Sequence, residues 1–143
     1  MSAGMKVSEI MTRDVITLFE EDNLERVNQE LGVFRFRHLP VIDDGKVVGI
    51  LSQQDLLRAT FAGSGDGVGG GGRAREARFL EETFVRDVMH TDVMTVHPEA
   101  PVGEAAKRML QNGFGVLPVV DADGMLVGIL TENDIVRAAS DVL

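Results

Sequence analysis

The strongest constraint on this chain is an internal repeat. GILSQQDLLRA runs from Gly49 to Ala59, and GILTENDIVRA runs from Gly128 to Ala138, 79 positions later. The repeat extends upstream, because VSEIM at 7–11 matches VRDVM at 85–89 and LPVID at 39–43 matches LPVVD at 117–121, each 78 positions apart. The extra residue lies where DDG in the first copy corresponds to DADG in the second, and a loop tip tolerates such an insertion. The chain is therefore expected to fold as two copies of one unit.

Each copy predicts the same order of elements: strand, helix, strand, strand, helix. Short β-branched runs at 15–18 and 93–96 predict the first strand. Apolar residues at helical spacing follow: Leu24, Val27 and Leu31 in the first copy, and Val102, Ala105, Ala106 and Met109 in the second. Asn112-Gly113 predicts a helix end. Asp/Gly turns then predict a hairpin in each copy, and a second helix is expected directly after Ser52 or Thr131.

The copies are joined by GSGDGVGGGGR, which has seven glycines among residues 63–72. This composition predicts a flexible tether, and the alternative is a loop that becomes ordered when something binds. Ala74, Ala77, Leu80 and Phe84 then fall at helical spacing and predict a lead-in helix. The predicted organisation is a first repeat at 1–62, a linker at 63–73, and a lead-in helix with the second repeat at 74–143.

Charge and composition restrict the functions that remain. The net charge of -9 argues against nucleic acid, because nucleic-acid binders present basic surfaces, and here the basic residues are scattered apart from RFRH at 35–38. The chain has no cysteine, which excludes disulfides and cysteine zinc sites. Its apolar runs are too short for a membrane span, and its N-terminus lacks a signal pattern. We therefore expect a cytoplasmic protein that does not bind membranes.

Both copies place an aspartate three residues after a serine or threonine that ends an apolar strand: Ser52 and Asp55, and Thr131 and Asp134. One interpretation is a helix cap, in which the hydroxyl accepts a backbone N–H and the acid lies at the positive end of the helix dipole. Glutamate or glutamine usually closes such a capping box, and aspartate has a shorter reach. A single S-x-x-D is most often such a cap.

The second interpretation is a ligand contact. A strand-to-helix turn presents free N–H groups, a hydroxyl and a positive dipole end, which together suit a phosphate. A carboxylate one turn into the helix suits the two hydroxyls of a ribose. Gly49 and Gly128 favour close backbone approach or a bulge, and Ile50 and Ile129 offer an apolar wall to a flat base. These glycines are not needed for a cap alone.

These residues resemble cystathionine β-synthase (CBS) domains. LPVID…GILSQQDLLRA and LPVVD…GILTENDIVRA, preceded by IMTRDVITL or VMHTDVMTV, carry the family motif G-h-x-[S/T]-x-x-D twice, where h is apolar. Two such domains in tandem form a Bateman module. The resemblance covers nearly the whole chain except the glycine-rich linker, and the intact duplication makes it far more specific than either motif alone.

The resemblance implies a mixed fold, α+β (α/β), of two βαββα repeats packed through their sheets around a pseudo-two-fold axis, with two clefts between them. It also implies a homodimer with a disc-like shape. Family members bind adenosine-containing ligands in these clefts: AMP, ADP, ATP, S-adenosylmethionine, NAD or cyclic di-AMP. The chain is therefore expected to be a regulatory module that binds such a ligand and signals by conformational change.

The resemblance also implies which residues bind the ligand. They are Thr12, Ile16, Arg37, His38, Ile50, Ser52, Asp55, Met94, Gly115, Val116, Ile129, Thr131 and Asp134. In this set the two aspartates would hold ribose, the adjacent serine and threonine would bond phosphate or ribose, and Ile50 and Ile129 would flank adenine. The backbone near Ile16 and Met94 would read the edge of the base. Each cleft would draw on both copies, with Thr131 and Asp134 meeting Thr12 and Ile16, and with Ser52 and Asp55 meeting Met94 and Val116.

The two copies differ just before LPV, where the first has Arg37-His38 and the second has Gly115-Val116. In the family this position commonly points toward ligand phosphates, which an arginine fork and a histidine suit. The alternative is an edge in which the phenylalanines of RFRH point inward and its basic residues are solvated. One arginine and one histidine neutralise only part of the negative charge of a triphosphate. The expected ligands are therefore AMP, ADP, Mg-ATP or the cationic S-adenosylmethionine. His90 lies near a second-copy position that is expected to face the ligand.

No catalytic site, metal site or resident cofactor is predicted. Three histidines and no cysteine leave no convincing nucleophile–base pair and no familiar metal spacing. An enzyme is therefore not expected. The leading hypothesis is a sensor that signals to a regulated protein which the sequence does not identify. The alternative is a dimeric interaction scaffold with unoccupied clefts, in which both S/T-x-x-D motifs serve only as helix caps.

Overall fold

The computed structural model describes residues 4–31, 38–64 and 72–142. In chain order the elements are α1 (Val7–Ile10), β1 (Leu18–Phe19), α2 (Leu24–Leu31), β2 (His38–Asp43), β3 (Lys46–Ser52), α3 (Gln53–Ser64), α4 (Gly72–Glu82), α5 (Val85–Val88), α6 (Val102–Asn112), β4 (Val116–Val120), β5 (Leu126–Thr131) and α7 (Glu132–Val142). No helix within these described ranges is long and apolar enough to cross a membrane.

The predicted helices and hairpins are present, and the mixed α+β fold is confirmed. The second helix of each copy begins at the residue after Ser52 or Thr131, as expected. Gly113 ends α6 in a left-handed conformation with φ 72°, which glycine adopts without a Cβ clash. In the first hairpin, Asp44 and Gly45 both have positive φ, which matches the right-handed twist of the strands that they join.

The first strand of each copy is shorter than predicted. In the first copy it is reduced to Leu18–Phe19, and in the second copy Val96 forms only an isolated parallel bridge with Val119. The lead-in helix runs over Gly72–Glu82 and ends before Phe84. Helices α3 and α4 overlap the ends of the predicted linker at 63–64 and 72–73, and the rest of the linker lies outside the described residues.

The chain divides into two compact units. Unit 2 comprises Ile16–Asp43 and Val48–Asp92. It contains β1, β2 and the part of β3 from Val48 onward, in a sheet of order β1-β2-β3, and the parallel β1–β2 pair aligns Leu18 with Val41. The buried core of this unit comprises Leu18, Leu24, Val27, Leu39, Val41, Leu51, Leu56, Leu80 and Val85. Val85 lies in α5, so the opening residues of the second repeat complete a core built mainly from the first.

Unit 1 comprises Met1–Val15, Asp44–Val47 and Val93–Leu143. Its antiparallel hairpin β4–β5 pairs Val116 with Thr131 and has an irregularity between Val119 and Val120. The buried core comprises Val7, Met11, Val96, Ala105, Met109, Leu117, Val119 and Leu130. Val7 occupies the repeat position of Val85, and it completes a core built mainly from the second repeat.

Matching backbone bonds attach these opening segments. In unit 1 the Val7 N–H donates to the Ala100 carbonyl at 2.9 Å, and in unit 2 the Val85 N–H donates to the Asp22 carbonyl at 2.8 Å. A salt bridge between Lys6 and Glu99 adds a 2.7 Å contact in unit 1 and raises the pKa of Lys6. Both partners are exposed, so the pair adds little stability. Attachment therefore depends on burial of Val7 and Val85 and on backbone pairing.

Two glycines of the repeat lie where another segment of the chain passes close by. A Cβ on Gly128 would lie 2.9 Å from the Thr12 carbonyl oxygen, and one on Gly49 would lie 2.9 Å from that of His90. Neither oxygen can move freely, because each belongs to a paired backbone. We expect Gly128→Ala and Gly49→Ala each to lower the free energy of unfolding by about 1–3 kcal/mol in urea titration.

Gly103 provides the matched control for these substitutions. It lies within α6, and a Cβ there meets nothing within 4 Å. Gly103→Ala is expected to be neutral or to stabilise the protein by up to about 1 kcal/mol, because alanine favours a helix over glycine. If Gly49→Ala and Gly128→Ala behave like this control, the proposed steric role of the two glycines is wrong.

Candidate functional site

Both strand-to-helix turns form reciprocal helix caps. The Asp55 N–H donates to Ser52 Oγ at 3.0 Å, and the Ser52 N–H donates to Asp55 Oδ2 at 3.3 Å. At the second turn the Asp134 N–H donates to Thr131 Oγ1 at 3.1 Å, and the Thr131 N–H donates to Asp134 Oδ2 at 3.0 Å. The aspartate therefore closes the box despite its shorter reach. The cap interpretation is correct for both motifs, and a ligand role is an addition to it.

Each aspartate also contacts a residue from the opening segment of the other repeat. In unit 1 the Thr12 hydroxyl donates to Asp134 Oδ1 at 3.0 Å and lies 3.3 Å from Oδ2. In unit 2 His90 Nε2 lies 3.0 Å from Asp55 Oδ1. Thr12 and His90 are equivalent positions of the repeat, 78 residues apart. The expected meeting of Thr12 with Asp134 is thus present in the structure.

Backbone pairing places these two contacts. Thr12 and Ile129 exchange N–H···O bonds of 2.8 and 2.9 Å, and Ile50 and His90 exchange two bonds of 2.9 Å. The preceding glycines permit this approach, because any Cβ there would strike the crossing segment. The glycines were expected to allow close backbone approach or a bulge. The structure shows close approach at both, and at Gly128 the strand pairing is also irregular, because Val119 pairs with Gly128 and Val120 with Leu126. They are explained by the protein chain itself, so they are not independent evidence for a ligand.

An arginine on the same helix completes each group. Arg58 lies 3.7 Å from Asp55 Oδ1, and Arg137 lies 3.8 Å from Asp134 Oδ1. We call the first group the Asp55 cluster (Ser52, Asp55, Arg58, His90) and the second the Asp134 cluster (Thr12, Thr131, Asp134, Arg137). Neither arginine was predicted as a site residue, although both hold the same place in the repeated eleven residues, which was a usable signal.

The two carboxylates are deeply buried for ionisable groups. The side chains of Asp55 and Asp134 are 9% and 3% exposed, whereas those of Arg58 and Arg137 are 74% and 69% exposed. An ionised carboxylate accepts about four hydrogen bonds and donates none. In each cluster it accepts from the backbone N–H of the cap residue, Ser52 or Thr131, and it contacts a side chain of the other repeat, with the arginine beyond hydrogen-bond distance. Capacity therefore remains for two further donors, such as a pair of hydroxyls.

The other residues assigned by the resemblance are divided between the two units. Unit 1 holds Met94, Gly115, Val116 and Ile129, and unit 2 holds Ile16, His38 and Ile50. Arg37 and the rest of RFR lie outside the described residues. The expected meetings of Asp134 with Ile16, and of Asp55 with Met94 and Val116, would join residues of different units and stay predictions. Within unit 1, the Glu132 N–H donates to the Gly115 carbonyl at 3.1 Å, which places an acidic side chain beside Gly115.

A cavity of about 320 Å³ opens within unit 1, between α1 and α7. It is lined by Met5, Glu9, Ile10, Asp134, Arg137, Ala138 and Asp141. Its volume falls within the range of small-molecule sites, and Asp134 belongs to both the cavity wall and the Asp134 cluster. Within the described ranges, no group of three histidine, aspartate or glutamate side chains could hold a metal ion.

Comparison with known proteins identifies the class that this architecture represents. The CBS domain family matches residues 7–62 and 85–141. The chain therefore belongs to the CBS domain family and carries two CBS domains. A crystal structure of CBSX2 in complex with AMP is 30% identical to this chain, with a TM-score of 0.78 over 97% of this chain and 98% of that one. A second structure, of CBSX2 from Arabidopsis thaliana, is 28% identical, with a TM-score of 0.79 over 98% of this chain and 97% of that one. The CBS domain pair of protein MJ0100, in complex with 5′-methylthioadenosine and S-adenosylmethionine, is 25% identical, with a TM-score of 0.74 over 97% of this chain and 98% of that one.

Several curated relatives are much longer than this chain. The chain spans 49%, 44% and 23% of the length of three of them. The third is a homoserine O-acetyltransferase from Methanococcoides burtonii, which is 30% identical over 92% of this chain. The matched part is thus the CBS pair alone, and the acetyltransferase activity named for that relative does not transfer to this chain.

Proposed function

We propose that this chain is a regulatory module that binds an adenosine-containing ligand at its two aspartate clusters. The observation that carries the proposal is the Asp134 cluster. It combines a buried carboxylate, a helix N-terminus and a hydroxyl from the other repeat, and the carboxylate retains unused acceptor capacity. Family members with the same architecture have been crystallised with AMP and with S-adenosylmethionine, which supports an adenosyl ligand.

The proposed contacts follow the chemistry of an adenosyl group. A ribose presents two adjacent hydroxyls, and a carboxylate that is fixed by its own cap accepts both without reorganising. Asp134 and Asp55 take this role in the proposal, and Thr131 and Ser52 bond the ribose or a phosphate. Ile129 and Ile50 flank the adenine. The remaining proposed contacts are Thr12, Ile16, Arg37, His38, Met94, Gly115 and Val116.

The ligands proposed are AMP, ADP, ATP with or without Mg²⁺, and S-adenosylmethionine. A phosphate chain must overcome the repulsion of a protein with net charge -9. Glu132 increases that repulsion in unit 1, because its carboxylate lies beside Gly115, where the first repeat has Arg37. These charges favour ligands with few phosphates, or a cationic sulfonium.

Signalling requires that the ligand bind two states of the protein with different affinity. We propose that occupancy changes the conformation of the module and that a regulated protein responds. A homodimer is also proposed, because apolar side chains stand exposed on three helices: Leu57, Leu110, Val136 and Val142 are 52–84% exposed. In this proposal the chain itself catalyses no reaction.

A second function is favoured by one observation. Both aspartates are already bonded through their caps and cross-repeat contacts without any ligand. An interaction scaffold with unoccupied clefts requires aspartates whose hydrogen bonds are supplied by the protein itself. The scaffold shares the fold and the proposed homodimer with the sensor, and it differs only in binding no nucleotide.

Isothermal titration with AMP, ADP, Mg-ATP, NADH and S-adenosylmethionine separates the two functions. The sensor predicts saturable binding of at least one of these ligands, with a micromolar dissociation constant. GMP is the matched control for AMP, because it keeps the ribose and phosphate and changes only the base, and it is expected to bind at least about tenfold more weakly. Absence of heat with every adenosyl ligand, for a protein that unfolds cooperatively, would favour the scaffold.

A further inference from the structure

The two aspartate clusters differ at one contact. The repeat gives both the same cap, the same glycine and the same arginine, but Thr12 faces Asp134 where His90 faces Asp55. The two residues hold equivalent backbone positions, each bridged to the isoleucine that follows the glycine. Their side chains therefore approach the carboxylates from corresponding places, and the difference between the clusters is chemical.

Thr12 leaves the Asp134 carboxylate able to accept hydrogen bonds from a ligand. Its hydroxyl donates its single hydrogen bond to the carboxylate, and its oxygen keeps two lone pairs. It can therefore also accept a hydrogen bond from a ligand. The hydroxyl lies 3.0 and 3.3 Å from the two oxygens of Asp134, so it shares one proton between them. A ribose that approaches this carboxylate therefore gains an acceptor partner beside it.

His90 occupies Asp55 more fully. Its Nε2 lies 3.0 Å from Oδ1. The arginines do not distinguish the clusters, because Arg58 and Arg137 lie 3.7 and 3.8 Å from the equivalent oxygens. The other oxygen, Oδ2, already accepts the Ser52 N–H. The imidazole is much bulkier than a hydroxyl. Two bonds to Ile50 hold the His90 backbone, and the side chain, which is 63% exposed, is held by its contact with Asp55. A ribose diol that needs both oxygens must therefore compete with the imidazole for Oδ1.

We infer that His90 is a specificity-determining residue that blocks the Asp55 cluster, so that this chain binds an adenosyl ligand at the Asp134 cluster and far more weakly at the Asp55 cluster. The inference rests on the proposed function and assigns unequal roles to the two repeats. A hydrogen bond to a charged group typically contributes enough that displacing it weakens binding about ten- to hundredfold.

The test exchanges the two residues and titrates each protein with adenosine. Adenosine lacks a phosphate, so basic residues such as Arg37 and His38 contribute little to the result. The wild type is expected to bind one adenosine per chain. His90→Thr is expected to add a second site or to tighten a weak one at least about tenfold. Thr12→His is expected to weaken the original site by a similar factor.

Three controls keep the outcome interpretable. His97→Thr makes the same chemical change at an exposed position outside both clusters and is expected to change nothing. Adding Asp55→Ala to His90→Thr is expected to remove the new site only. His90→Ser replaces His90→Thr if the latter fails to unfold cooperatively, because serine also supplies a small hydroxyl.

The possible results distinguish the two proposals. Binding at the Asp134 cluster that His90→Thr leaves unchanged overturns the role of His90 alone. Weaker binding in His90→Thr also overturns it, because the imidazole would then be a ligand contact. If neither the wild type nor any folded variant binds adenosine or an adenine nucleotide, the proposed function fails, and this inference fails with it.

Discussion

Asp134→Ala is expected to weaken binding of an adenosyl ligand at least about a hundredfold, which abolishes detectable binding in a titration of a micromolar ligand. The Asp134 side chain is 3% exposed and is fixed by Thr131 and Thr12. Two hydrogen bonds from a ribose to such a carboxylate contribute about 1.5–3 kcal/mol each. Their combined loss, about 3–6 kcal/mol, exceeds the roughly 2.8 kcal/mol that corresponds to a hundredfold change in affinity.

The variant must remain folded for this result to count. Loss of the cap is expected to cost about 1 kcal/mol of stability, which leaves a cooperative unfolding transition. Asp123→Ala is the matched control, since it removes the same charge from an exposed turn of unit 1 and is expected to leave affinity unchanged. If folded Asp134→Ala binds like the wild type, the carboxylate is a helix cap and nothing more.

Leu130→Ala is expected to lower the free energy of unfolding by about 2–5 kcal/mol, because it leaves a cavity in a packed core. Leu130 is fully buried in β5, within the core that also contains Val7 and Leu117. Such a loss is a large part of the roughly 5–15 kcal/mol that stabilises a typical domain. Urea titration followed by circular dichroism measures it directly.

Leu110→Ala makes the same change at the surface of unit 1. Leu110 is 84% exposed on α6, so a change within about 0.5 kcal/mol is expected for an isolated chain. A larger loss that grows with protein concentration would show that another chain covers this helix, as the proposed homodimer requires. If Leu130→Ala is as mild as Leu110→Ala at low concentration, the description of the unit 1 core is wrong.

The sequence predicted the order of the main elements because the repeat supplied every signal twice. In α6 the predicted apolar positions Ala105 and Met109 are buried. The helix ends at Asn112, and Gly113 follows with a positive φ that glycine accommodates. The hairpins followed from their Asp/Gly turns. Boundaries were weaker where tertiary pairing decides them, as in the first strand, which shrank to two residues in one copy and a single bridge in the other.

The short helices α1 and α5 were not predicted from the sequence. Each has four residues, too few to show a periodic pattern. The sequence nevertheless carries an acidic residue at the same position of each repeat, Glu9 and Asp87. In the structure these carboxylates accept hydrogen bonds from the backbone N–H groups of Lys6 and Phe84. The attachment of these segments to the core of the other repeat depends on long-range pairing, for which one sequence carries no direct signal.

The site was predicted in outline. The two S/T-x-x-D motifs followed from the repeat, and the contact between Thr12 and Asp134 followed from the family resemblance; the structure contains both. The bond from His90 to Asp55 was not foreseen, although His90 was expected near the ligand. The 78-residue offset of the repeat already aligned His90 with Thr12, so the asymmetry was readable once Thr12 had been paired with Asp134. The ligand roles of all thirteen residues remain predictions.

The central claim is that the buried carboxylate of Asp134 accepts the hydroxyls of a ribose. The most direct measurement compares the tightest adenosyl ligand of the titration panel with its 2′-deoxy analogue, which lacks one of the two hydroxyls. We predict that the analogue binds the wild type at least about tenfold more weakly, because it loses one hydrogen bond to a charged acceptor. Equal affinity for the two compounds would contradict the account, because the ribose would then not be bound through its diol.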